Sequence, residues 1–212
     1  MNYLLTLYIF YEIICSVIES FHKFTQSELL EAMIWDDSIF KKLNLISKTL
    51  LEVILSGGCV YAIGNGGSAS DAEHFIGEFT SKCKIMHEPW RGICLNSNMA
   101  AITSIANDFT FDEIFSRQLE AHFRKNDMLI ALSTSGTSPN VLKAIELARK
   151  ISSENVFFLT SNKFINSNNL LENQIIRVPS LITPRIQEVH MHWLHSIIEF
   201  CEENLKNHEL SP

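Results

Sequence analysis

Apolar residues recur at three- and four-residue intervals through 16–34 and again through 38–56. That spacing gathers them on one helical face and predicts two helices. Asp36, Asp37 and Ser38 can cap the second, and Gly57-Gly58 stops it. The texture then changes to short apolar runs alternating with amphipathic stretches. CVYAI (59–63), RGICL (91–95), MLIALS (128–133), NVFFLT (155–160) and QIIRVP (174–179) read as five buried strands. Residues 69–81, 98–106 and 111–124 read as helices between them, as does VLKAIELARKI after Pro139. Proline is favoured at the first helical position. A last helix spans 184–206. This order predicts an α/β domain on a parallel sheet. Such sheets bind ligands outside the carboxyl ends of their strands. Two unusual loops, GNGGS (64–68) and STSGTSPN (133–140), fall there. No repeat, low-complexity stretch or linker interrupts the pattern.

The first eighteen residues, MNYLLTLYIFYEIICSVI, are more apolar than one helical face requires. No Lys or Arg precedes the apolar run and no small-residue cleavage site follows it, which is not the pattern of a signal peptide. The run falls short of the ~20 apolar residues of a spanning helix, and Glu12 interrupts it. The expectation is a helix buried between subunits, or a misassigned start, rather than a membrane anchor. The chain thus divides into an apolar extension, 1–18, and a single domain, 19–208.

Composition narrows the function. Hydrophobic residues make up 46% and charged residues 19%, a globular balance. Seventeen Lys+Arg against twenty-four Asp+Glu give a formal charge of -7, with no basic footprint for nucleic acid. An anionic ligand would need a site built locally from backbone dipoles and a few cations. The five cysteines are scattered, odd in number and without a CxxC pair, which predicts reduced, mostly buried thiols in a cytoplasmic protein.

STSGTSPN carries Ser133, Thr134, Ser135, Thr137 and Ser138 between a strand and a helix. Hydroxyls and free N–H groups at a helix start suit a phosphate, although N-cap chemistry alone also favours Ser and Thr there. No GK[ST] follows, so this is not an ATP-binding Walker loop. GNGGS allows close backbone approach to a ligand. His74 and Glu78 are spaced i, i+4 and share one helix face, an arrangement also common on solvated faces. RIQEVHMHWLH adds Gln187, Glu188, His190, His192 and His195. At about 100° per residue, Gln187 and His195 differ by roughly 80° and flank one broad face. Periodicity does not choose among the three histidines.

Four stretches in order, GNGGSASDAEHFIGEF, ANDFTFDEIFSRQ, STSGTSPNVLKAI and RIQEVHMHWLH, resemble the phosphoheptose isomerases of the sugar-isomerase (SIS) domain superfamily. The resemblance spans about residues 20–205. It implies a three-layer, flavodoxin-like SIS fold with a five-stranded parallel sheet and N-terminal helices, assembled as a homotetramer. It also implies conversion of sedoheptulose 7-phosphate to D-glycero-D-manno-heptose 7-phosphate, towards nucleotide-activated heptose for bacterial surface polysaccharide. The implied substrate contacts are Asn65, Gly66, Gly67, Asn107, Asp108, Ser133, Thr134, Ser135 and Ser138. His74, Glu78, Gln187 and His195 match a site for one Zn2+ per subunit. In it Glu78 and His195 are also the catalytic pair, while Glu78 and Gln187 also meet substrate. The resemblance thereby selects His195, and makes Gln187, a weak oxygen donor, a ligand.

Two positions depart from the family pattern. Lys82 stands where Arg is usual, keeping the charge without the bidentate geometry. TSNKFINSNN replaces a Gly-Gly turn after the fourth strand. The rival function is a non-catalytic SIS protein that binds a phosphosugar or a partner such as the replication initiator. Such a chain needs no base at Glu78 and no imidazole at His195. Fold alone would also permit another ketose phosphate.

Overall fold

A computed structural model describes the backbone of residues 2–166 and 171–209 and the side chains of 14–166 and 171–206. Residues 167–170, within the turn that departs from the family pattern, lie outside the described residues.

The helices are α1 (Asn2–Ala32), α2 (Asp37–Leu55), α3 (Gly67–Gly77), α4 (Met99–Asp108), α5 (Ser116–His122), α6 (Pro139–Ile151) and α7 (Thr183–Glu209). The strands are β1 (Val60–Ile63), β2 (Gly92–Cys94), β3 (Met128–Leu132), β4 (Val156–Ser161) and β5 (Ile175–Val178). All five strands are parallel, in the order β2-β1-β3-β4-β5. The direction of winding reverses between β1 and β3, which makes their carboxyl ends the natural ligand crevice.

Alternation along the strands builds two cores. Val60, Ala62, Met128, Ile130, Leu132, Phe157 and Leu159 face α2, α3 and α7, joined by Trp193, Ile186 and Phe75. Tyr61, Ile63, Leu129, Ala131 and Phe158 face α5 and α6, joined by Phe115, Leu119 and Val141. The three predicted layers are therefore present.

Local signals set the ends of the elements. Asp36 accepts from the backbone N–H of Ser38 and Ile39 and caps α2. Pro139 opens α6. Two differences from the sequence reading have physical causes. The helix expected over 69–81 stops at Gly77, with Glu78 as its C-cap. Beyond it, the buried carboxylate of Glu202 on α7 accepts the N–H groups of Cys83, Lys84 and Ile85 at 2.8, 2.9 and 2.9 Å. That tertiary anchor draws the chain off the helical path. The helix expected over 111–124 is split into a 3-10 turn, Phe111–Glu113, and α5.

α1 runs unbroken across the expected boundary at 18/19. Ile14, Val17, Ile18, Phe21 and Phe24 recur at helical spacing on it, each at least 43% exposed. Among the described residues, no helix is long and apolar enough to cross a membrane. All five cysteines are free; Cys59, Cys94 and Cys201 are buried, Cys83 is half-buried, and Cys15 on α1 is exposed, against the expectation of burial.

Candidate active site

The first loop follows β1. Gly66 has φ +57°, a conformation that costs glycine little. A Cβ at Gly67 would lie 2.1 Å from Nε2 of Gln187. Glycine there lets the α7 amide rest on the start of α3. The close approach read from GNGGS is thus used first by this chain's own Gln187.

Asn65 exchanges two hydrogen bonds with Asn140, each 2.9 Å, across the β1/β3 crevice. Asn140 is 1% exposed and ties the first loop to the start of α6. The Asn65 amide is engaged in this pair.

The second loop follows β3 and folds its hydroxyls onto one another. Ser133 Oγ lies 3.2 Å from Ser138 Oγ and 3.5 Å from Ser135 Oγ. Ser135 Oγ accepts from the N–H and the hydroxyl of Thr137, both at 3.2 Å. Gly136, at φ +71°, packs where a Cβ would lie 2.5 Å from Phe164. The strand end of β4 holds this loop: Ser133 N–H donates to Leu159 O at 3.1 Å and Ser161 Oγ–H to Thr134 O at 2.7 Å.

Between α3 and α7 three donor atoms converge. His74 Nε2 is 3.1 Å from Glu78 Oε1 and 3.3 Å from His195 Nε2. All three residues offer atoms within 4.8 Å of one another. Four ligands about 2.0–2.1 Å from a tetrahedral zinc stand about 3.3 Å apart, so these separations suit that ion. The donor set, two imidazoles and a carboxylate, also fits. The other Glu78 oxygen, Oε2, is buried without a hydrogen-bond partner.

Asp71 lies one turn before His74 on α3, and the sequence reading missed it. Its Oδ2 is buried and unpartnered. Burial pushes its carboxyl up to about 6, opposed by the nearby His74.

The three histidines of RIQEVHMHWLH have separate fates. His195 joins His74, whereas His192 packs against Trp35 with ring centroids 5.4 Å apart. His190 is fully buried on the sheet side. Asn107 and Asp108 end α4, about 14 Å along the helix from its start. Both are exposed and bond each other at 2.7 Å. Among the described residues, no hydrogen bond links that pair to the histidines or to the serine loop.

A parallel 2-1-3-4-5 sheet with a hydroxyl loop at its switch point and an imidazole–carboxylate cluster between two of its covering helices is the setting of a phosphosugar-handling domain. Residues 26–161 match the model of the SIS domain. Over 186 residues the chain is 36% identical to the phosphoheptose isomerase of Aliarcobacter butzleri, covering 88% of this chain and 94% of that protein. It is 40% identical over 155 residues to that of Helicobacter pylori, covering 73% and 80%. The phosphoheptose isomerase structure from Neisseria gonorrhoeae superposes with a TM-score of 0.73 at 29% identity, covering 90% of this chain and 99% of that one. The chain belongs to the phosphoheptose isomerases of the SIS-domain superfamily, and it is an isomerase.

Proposed function

We propose that this chain converts sedoheptulose 7-phosphate to D-glycero-D-manno-heptose 7-phosphate in heptose biosynthesis. The observation that carries the reading is the meeting of Glu78 and His195 at His74, between α3 and α7. A binding protein has no use for that pair. Purified protein given sedoheptulose 7-phosphate, with product followed by a coupled assay, tests it. Turnover is expected, and its absence in a folded preparation overturns the assignment.

The reaction moves a hydrogen from C1 to C2 and another from O1 to O2. It needs a base at carbon and a donor at oxygen on a held substrate. We assign the C1 proton to Glu78. His195 gives and takes the oxygen protons, as imidazole can near neutral pH. The reading assigns the phosphate to Ser133, Thr134, Ser135 and Ser138, at the start of α6. Asn65, Gly66, Gly67, Asn107, Asp108 and Gln187 complete the assigned contacts. Replacing Ser135 with Ala removes one hydroxyl from the cradle, and a hydrogen bond to a charged group is worth about 1.5–3 kcal/mol. The apparent KM of Ser135→Ala is expected to rise about tenfold or more, with a smaller loss in kcat. Parent-like affinity for both inorganic phosphate and the sugar phosphate would move the phosphate elsewhere.

His74, Glu78, Gln187 and His195 would hold one zinc ion per subunit. Bound there, zinc would supply Lewis-acid polarisation at the reacting oxygens. Metal analysis of active protein after mild dialysis is expected to give one equivalent; less than about a tenth would remove the metal from the reaction.

The exposed apolar stripe of α1 supports a homotetramer, because a monomer would leave it in water. Light scattering is expected to return four times the chain mass, and a monomer would sink the idea. We place the enzyme in the cytoplasm, where five free cysteines stay reduced. Fractionation of the producing cell checks this.

A further inference from the structure

His190 lies three residues after Gln187 and five before His195, and it is turned away from His195. At about 100° per residue it stands roughly 60° from Gln187 and 140° from His195 around α7. Its side chain is fully buried between α7 and the sheet. Nε2 lies 3.1 Å from the carbonyl oxygen of Thr160, near the end of β4. A carbonyl cannot donate, so Nε2 carries the hydrogen.

The next residue continues the connection. Ser161 Oγ–H donates to Thr134 O at 2.7 Å, inside the hydroxyl loop. One residue earlier, Leu159 O accepts from Ser133 N–H at 3.1 Å. Three consecutive residues of β4 thus bond the hydroxyl loop on one side and α7 on the other. The Thr160 Oγ1, His190 Nδ1 and Trp193 Nε1 atoms are buried without partners. A leucine at position 190 would fill this space without an unpaired nitrogen. What imidazole adds is one directed bond from α7 to the strand end that holds the loop.

We propose that His190 is a positioning residue of the isomerase, which sets the place of Gln187 and His195 relative to the hydroxyl loop through Thr160 and Ser161. This rests on the roles assigned above to that loop and to α7. The two ends of the substrate are then registered by the protein interior. The phosphate is held by a loop bonded to β4, and the reacting carbons by a helix bonded to the same strand. Misplacement by about 1 Å can cost 10²-fold in rate, so loss of the bond is felt in turnover before it is felt in binding at either end.

The test compares His190→Leu with His190→Gln. Leucine has no donor, while the glutamine amide nitrogen can take the place of Nε2. Three quantities are read: kcat and KM with sedoheptulose 7-phosphate, zinc affinity by chelator competition, and the inhibition constant of inorganic phosphate. For His190→Leu we expect kcat to fall at least about tenfold while the zinc and phosphate constants stay within twofold of the parent. His190→Gln should recover most of the loss. A His190→Leu kcat within twofold of the parent overturns the proposal. So does a loss that tracks weakened zinc or phosphate binding, or one that glutamine leaves unrepaired, because each describes local damage. If His190→Leu does not fold, His190→Asn replaces it, with an amide too short to reach Thr160 O. A parent that turns over no sedoheptulose 7-phosphate overturns the functional assignment and this proposal together.

Discussion

Glu202→Ala is expected to lose about 3–5 kcal/mol of stability, the scale for breaking a buried, fully bonded charge site. The carboxylate is 1% exposed and accepts three backbone N–H groups, from Cys83, Lys84 and Ile85. His87 Nε2 stands 3.5 Å from Oε1, and the His87 ring stacks on Trp90 with centroids 3.9 Å apart. Removing the carboxylate leaves three part-buried donors facing a hole. An orphaned donor alone costs about 1–3 kcal/mol. Glu202→Gln should recover only part of this. Oε1 serves Cys83 and Oε2 serves both Lys84 and Ile85, so either amide orientation sets an NH2 against at least one N–H. For a chain of this size each kcal/mol moves Tm by about 2–4 °C, giving a fall of roughly 6–20 °C for Glu202→Ala. Thermal and urea unfolding of the metal-free protein measures it. A loss below about 1 kcal/mol would mean that water reaches those three N–H groups and that the anchor is dispensable.

Glu202 also shows why parts of the site were hidden in the sequence. The strands and helices were legible because their signals are local. CVYAI and MLIALS are apolar runs bounded by turn residues, and Asp36 and Pro139 cap their own helices. The partners of Glu202 lie 117–119 residues away and are backbone groups, which carry no residue-type signature. The Asn65–Asn140 pair spans 75 residues and joins two loops that each read as a ligand loop alone. Spacing put His74 with Glu78, but it could not say which of the three histidines of RIQEVHMHWLH would meet them. That choice depends on how α7 rolls over the sheet, and burial of His190 and Trp193 decides it. The resemblance had pointed to the same His195. The early end of the helix at Gly77 belongs with these cases, since helical periodicity runs on past it and a tertiary bond stops it.

Glu78→Gln is expected to lower kcat by at least about 10²-fold while the sugar phosphate still binds, the range of a general acid–base group. The two oxygens of Glu78 sit differently. Oε1 faces His74 Nε2 at 3.1 Å, and Oε2 is buried with no hydrogen-bond partner. This division answers an objection to the assignment, that a carboxylate given wholly to a metal makes a poor base. One oxygen can face the ligand cluster while the other keeps a lone pair for the C1 proton. Glutamine keeps the length and one oxygen, which the imidazole side can still use, but its amide cannot take a proton. Charge is lost as well, so zinc content is measured on the same sample, with the inhibition constant of inorganic phosphate as the control for the distant end of the site. Low kcat with near-parental zinc and phosphate binding assigns the base to Glu78. Low kcat with lost zinc assigns Glu78 to the metal alone. Near-parental turnover with normal zinc would mean that another group moves the proton, and Asp71, with its buried unpartnered Oδ2 one turn before His74, would be the next residue to replace.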